Sequence, residues 1–204
     1  MTPILGIMAS QISGHLGYPA VLAYDSIATA SISGSSSIVQ FSSIPGTYAH
    51  LQLRFMWKGS STSGGYPTAV NIQFNSDTTA ANYHGSRVQG NGSAGISGGY
   101  SNNNESDSLM ELSSDAASGV PANAYSVGIA DFLDYSNTNK YKSMRIFQGA
   151  DSGSITNQRA TVLANTTWLN TSAITNIKLT FDATYGGNIL ASSKVALYGI
   201  KAAV

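Results

Sequence analysis

Two spacings between Gly90 and Gly99 match patterns that do chemistry elsewhere. Gly90-Asn-Gly-Ser-Ala-Gly95 has the G-x-G-x-x-G spacing of a dinucleotide-binding turn, and Gly95-Ile-Ser-Gly-Gly99 has the G-x-S-x-G spacing of a nucleophile elbow. Both patterns depend on context. A strand must feed the turn and a helix must follow, so that helix amides meet a pyrophosphate or a strained bend exposes the serine. Here Ile96-Ser-Gly-Gly-Tyr-Ser-Asn-Asn-Asn104 follows, with no helical period. The stretch from Gly90 to Asp107 therefore reads as a large exposed glycine-rich loop.

Other chemistry-bearing residues are sparse. His15, His50 and His84 are the only imidazoles available as a general base, and there is no cysteine. His50 falls on the polar side of an alternating segment and His84 beside a turn, where solvated or locally bonded rings are expected. Asp131 and Asp134 form the nearest pair of carboxylates in a strand context. Three residues apart on a strand they face opposite ways, so a shared glycosidase-type site would need a bend between them. Asp134 reads as a turn cap, with Lys140 and Lys142 as surface partners. Asn75-Ser-Asp77 and Asp151-Ser-Gly-Ser154 offer oxygens of the type calcium takes, without a complete ligand spacing. No catalytic residue, metal or cofactor follows. Trp57, Trp168 and the tyrosines could stack on sugars; Trp57 alternates with core residues, which leaves Tyr66, Tyr83 and Tyr100, in or beside loops, as the ligand-facing candidates.

The elements that must position these residues are strands. From Ala49 to Lys58 the residues alternate strictly, with Leu51, Leu53, Phe55 and Trp57 on one side. The same period of two recurs at Val70, Ile72 and Phe74 and at Ile177, Leu179 and Phe181, and it marks half-buried strands. Weaker strands are expected at Ser26–Ala30, Ser37–Phe41, Tyr83–Gln89, Leu109–Leu112, Tyr125–Leu133, Ser143–Gln148, Ala160–Leu163 and Val195–Ile200. Turn chemistry separates them, as in Ser43-Ser-Ile-Pro-Gly46 and Asp134 to Lys140. Many short strands without helix alternation predict an all-β protein, an antiparallel β-sandwich of jelly-roll type.

Composition sets the class of partner. Only 10% of the residues are charged, the formal net charge is zero, and no Lys or Arg precedes Arg54. A chain with no basic field argues against nucleic-acid binding, and near-zero charge favours association. The apolar run Pro3-Ile-Leu-Gly-Ile-Met8 has no basic flank and is short, which argues against a secretory signal and a membrane span. Residues 1–20 are expected to form an extended N-terminal arm ahead of a sandwich domain at 21–204. In that arm Ile4, Leu5, Ile7 and Met8 form the expected partner interface. Burying each of these side chains contributes about 1.5–3 kcal/mol, and leaving them in water invites aggregation.

The order of segments also resembles a group of tailed-bacteriophage virion proteins. The likeness runs through Ile4-Leu-Gly-Ile-Met-Ala-Ser10, Tyr24-Asp-Ser-Ile-Ala28, Phe41 to Arg54, Ile72-Gln-Phe-Asn-Ser-Asp77, Asp131 to Lys142, Trp168 to Thr175 and Ala196-Leu-Tyr-Gly-Ile-Lys201. It covers nearly the whole chain apart from Gly90 to Asp107. The resemblance implies a non-enzymatic structural protein with a β-sandwich body, either a capsid decoration (cement) protein or part of a tail fibre. For a decoration protein it implies the major capsid protein as partner, a homotrimer over a symmetry axis, and a place on the capsid exterior. A fibre or receptor-binding subunit would instead recognise a host surface polysaccharide. A short chain of one arm and one sandwich, without a coiled-coil shaft, favours the shell.

Overall fold

In the computed structural model, the described residues are 23–60, 68–90, 95–101, 106–111, 121, 123–151, 159–181 and 187–202. The expected arm at residues 1–20 lies outside them. Twelve strands run through the described chain. They are β1 (Tyr24–Ser31), β2 (Ile38–Phe41), β3 (His50–Trp57), β4 (Thr68–Phe74), β5 (Tyr83–Gly90), β6 (Gly95–Ser101), β7 (Ser106–Glu111), β8 (Ser126–Leu133), β9 (Lys142–Asp151), β10 (Arg159–Trp168), β11 (Ile177–Phe181) and β12 (Lys194–Ile200). A single 3₁₀ turn at Ala80–Asn82 precedes β5. Each expected strand is present. β6 is an addition: it and the first residues of β7 occupy ground expected to be loop.

All pairings are antiparallel, and they build an eight-stranded sheet, β1-β12-β3-β8-β9-β10-β5-β6, and a four-stranded sheet, β2-β11-β4-β7. Setting aside β5, β6, β9 and β10 leaves two four-stranded sheets. Numbered along the chain, the remaining strands lie in the orders 1-8-3-6 and 2-7-4-5, which is the pairing of a jelly roll. The other four strands are two insertions, β5-β6 and β9-β10, and both extend the same edge beyond β8. One sheet of the sandwich is thereby doubled in width.

The core lies between the sheets, where the alternation predicted it. Leu51, Leu53, Phe55 and Trp57 of β3 face Val70, Ile72 and Phe74 of β4 and Ile177, Leu179 and Phe181 of β11, and all are buried. Rings set the packing. Trp57 stacks on Phe55 at 3.8 Å and meets Phe181 edge-on at 5.4 Å, while Phe74 touches the rings of Phe132, Trp168 and Tyr83. Gly128 of β8 makes room for this cluster: a Cβ there would sit 2.4 Å from the tip of Phe55 and 2.9 Å from the Phe147 carbonyl oxygen.

The turns that hold the strands are tied by half-buried polar groups. The Asn75 Oδ1 accepts from the Thr175 and Asn176 amides at 2.9 and 3.1 Å, in a turn where Asn75 and Ser76 adopt φ of 50° and 58°. Next to it the Asp77 carboxylate accepts from the Thr79 amide at 2.9 Å, Asn82 Nδ2 at 2.7 Å and the Trp168 indole Nε1 at 2.7 Å. Burial pushes the Asp77 carboxyl up, but hydrogen bonds from Asn82, Thr79 and Trp168 outweigh it and hold the group below its ordinary value. A carboxyl depressed in the folded state contributes stability that is present above its unfolded value and lost as pH falls through the folded one. Asp77→Ala strands the buried indole N–H, so it is expected to cost about 2–3 kcal/mol, or about 5–10 °C in Tm. It should also flatten the fall of Tm below about pH 4, and thermal melts across pH 2–7 check both effects.

Candidate interaction face

The expected chemistry does not assemble. Gly90 closes β5 and Gly95 opens β6, so the G-x-G-x-x-G spacing joins two antiparallel strands where a helix would be needed. Gly95 to Gly99 lie within β6. His50 Nδ1 accepts the Asp134 amide at 3.0 Å, and His84 Nε2 lies 3.1 Å from the Ala81 carbonyl, so both rings are locally bonded. Asp131 bonds Gln52 Nε2 at 2.7 Å and Arg145 at 3.1 Å. Asp134 turns away at φ 49° to pair with Lys140 at 2.8 Å. Among the described residues no three His, Cys, Asp or Glu side chains gather as a metal site would require, and the oxygens of Asn75 and Asp77 are taken up by the turn bonds described above. Asp151 closes β9, and 152–154 lie outside the described residues.

Two expectations need correction. Tyr83 is not a loop aromatic: it is fully buried, its hydroxyl accepting from the Phe74 amide at 3.1 Å and donating to the Asp77 carbonyl at 3.0 Å. The alternation of β5 carries it inward beside Phe74. Lys142 is not a surface partner of Asp134. It starts β9 on the face that continues through Met144 and Ile146, so only 2% of it is exposed, and its ammonium donates to the carbonyls of Asn137, of Lys140 at 2.7 Å and of Thr171 at 2.9 Å. Burial pulls its pKa below the ordinary lysine value, opposed by the Asp134 carboxylate. Of the remaining candidates, Tyr100 falls in β6 with its backbone opposite Gly85, and its side chain is outside the described residues, as are Tyr66, Ile4, Leu5, Ile7 and Met8.

What the fold does assemble is a surface. On the outer face of the wide sheet, the register aligns Ile129, Phe147, Leu163 and Val88 side by side across β8, β9, β10 and β5. Val127 and Met56 continue the patch on the row beside Ile129. Phe147 is 56% exposed, Leu163 55%, Val88 61% and Val127 51%, so this is a continuous apolar stripe across four strands. Gly149 lies between Val127 and Thr161 in register, with no atom closer than 3.9 Å to where its Cβ would stand. The missing side chain helps open a groove of about 760 Å³, walled by Met56, Val127, Ile129 and Phe147. That volume falls in the range of natural binding sites.

A polar ladder borders the stripe on one side. Arg54 Nε donates to Gln52 at 2.6 Å, Gln52 donates to Asp131, and Asp131 pairs with Arg145. The Arg54 guanidinium sits 5.1 Å from the ring centres of both Tyr24 and Tyr198, held between two π faces. The ladder keeps the charges engaged with one another and leaves the adjoining stripe to apolar partners. None of the stripe residues was singled out from sequence. The signal was present in β8, where Val127 and Ile129 are larger than their inward neighbours Ser126, Gly128 and Ala130.

Fold and face together define an all-β jelly-roll protein with one widened sheet and an exposed apolar groove across it. No family model matches the chain, and no curated protein matches it. Among solved structures, the binding domain of botulinum neurotoxin DC, in complex with SialylT, aligns at 11% identity with a TM-score of 0.25, covering 80% of this chain. This chain spans 38% of the length of that one. A protein of unknown function from Shewanella oneidensis MR-1 aligns at 12% identity with a TM-score of 0.22, covering 100% of this chain and 97% of that one. Superpositions this loose carry no argument about function.

Proposed function

We propose that this chain is a non-enzymatic structural protein of a tailed-bacteriophage virion, a capsid decoration protein that bridges and stabilises neighbouring major capsid protein subunits as a homotrimer. The observation that carries the reading is the apolar stripe over β8, β9, β10 and β5. A patch of this extent on a protein of zero net charge is characteristic of a surface covered in an assembly. The segment-by-segment resemblance to virion proteins supports the particle, and the uncharged arm with Ile4, Leu5, Ile7 and Met8 supports a gripping role. The work is mechanical: each sandwich adds contacts that only the assembled shell offers, and mass action then stabilises that shell.

The alternative, a tail-fibre or receptor-binding subunit recognising a host polysaccharide, loses one of its three candidate rings with the burial of Tyr83. Counting copies per purified virion, by quantitative mass spectrometry against the major capsid protein, separates the two. Hundreds of copies are expected. A handful would place the protein in the tail and end the decoration reading.

A further inference from the structure

We infer that the groove across the outer face of the wide sheet is the seat for the Pro3–Met8 segment of a second copy of this chain. The inference rests on the proposed use of residues 1–20 as an assembly arm, and not on which particle the assembly belongs to.

Groove and segment match in three respects. The first is chemistry. The groove is lined mainly by apolar atoms, with Met56, Val127, Ile129 and Phe147 beside Arg54 and Lys194, and the segment brings Ile4, Leu5, Ile7 and Met8 with no charge of its own to desolvate. The second is length. From Ala196 on β12 to Thr161 on β10 the groove crosses four inter-strand steps, about 19 Å at the usual strand spacing. Six extended residues, Pro3 to Met8, cover about 20 Å.

The third is direction. β1 runs from Tyr24, opposite Ile200, to Ser31, opposite Lys194, and the groove lies toward the Lys194 end beside Met56 and Val127. The described chain enters at the other end, where the Ala23 carbonyl accepts the Lys201 amide at 3.0 Å. The described chain thus begins on the side of the sheet away from its own groove. Residues 9–22 allow a reach of up to about 46 Å, enough to cross to a neighbour. Arm to groove is a head-to-tail contact, which closes into a ring when the rotation between copies permits. A ring of three agrees with the trimer expected for the assembly.

The test uses two full-length variants, each lacking one half of the contact. Ile4→Asp with Ile7→Asp spoils the arm and keeps the groove. Phe147→Asp spoils the groove and keeps the arm. Light scattering after size exclusion is expected to show an oligomer for the unaltered chain and a monomer for each variant, with self-association weakened about a hundredfold or more. Mixing the two is expected to restore a one-to-one complex through the single intact pair. Val127→Asp repeats the groove arm of the test at a second exposed position, and Lys178→Asp, on the outer face of the small sheet, should leave the oligomer unchanged.

A monomeric unaltered chain, an oligomer that survives both groove substitutions, or a mixture that forms no complex overturns the inference. A monomeric unaltered chain would also remove the homotrimer from the proposed function, whereas the other two outcomes leave it standing; the copy number on virions tests the decoration reading separately.

Discussion

Lys142→Met is expected to lower the stability of the sandwich by about 2–4 kcal/mol, the scale for losing the hydrogen bonds of a buried charged group, and to lower Tm by about 4–16 °C. Methionine fills nearly the same volume, so the loss is electrostatic and not a cavity. The ammonium of Lys142 joins three carbonyls from two different turns, Asn137 and Lys140 on one side and Thr171 on the other. Without it these acceptors are left short of a donor near Trp168, which pairs with Lys142 in register and is fully enclosed. Asn137, Lys140 and Thr171 are themselves partly or fully exposed, so water takes up some of the loss, but the carbonyl bonds that the ammonium made inside the turn are not replaced by methionine. Lys140→Met is the comparison: its ion pair with Asp134 is 62% exposed on the lysine side, and its removal should change stability by less than about 1 kcal/mol. Calorimetry on both variants decides the matter, and equal melting temperatures for Lys142→Met and the unaltered protein would refute this account of the turn.

Deleting residues 2–12 is expected to leave the sandwich folded and to abolish attachment to shells. Among the described residues the core cluster, from Val39 to Leu197, already closes the two sheets on each other. The arm's four large apolar side chains would together contribute roughly 6–12 kcal/mol when buried against a partner. Even a quarter to a half of that, about 3 kcal/mol, shifts occupancy roughly a hundredfold. Co-sedimentation with shells, alongside far-UV circular dichroism of the truncated protein, measures both halves of the prediction. Retained attachment would show that the arm is not the grip, and loss of the β spectrum would show that it belongs to its own core.

The strands that were legible in the sequence are those whose two faces differ. β3, β4 and β11 alternate cleanly because one side meets the core and the other meets polar surroundings. β6 was not legible. Gly95-Ile-Ser-Gly-Gly-Tyr-Ser101 has three glycines in seven residues and little intrinsic strand preference, so its order comes from the ladder with β5. Lys142 and Tyr83 were misplaced for a related reason. Residue type suggested a surface lysine and a loop tyrosine, but strand period carried both side chains inward, where nearby backbone groups satisfy their polar ends.

β8 shows the limit most sharply. In its first half the outward residues Val127 and Ile129 are bulkier than inward Ser126, Gly128 and Ala130, so hydrophobicity there would turn the strand over, against Asp131 and Phe132 that follow. The pairing with β3 decides otherwise, because the ring of Phe55, opposite Gly128 in register, already fills the space above it and leaves no room for a larger side chain.

By itself the sequence determined the all-β class, most strand positions, the turns between them and the near absence of charge, because each depends on residues within a few positions of one another. Only the tertiary structure decided that two inserted hairpins widen one sheet, and that Ile129, Phe147, Leu163 and Val88 fall on a single row. That row depends on the register between strands, including β10 and β5 that lie far apart in the chain, which the packing of the opposite face sets and no local pattern records.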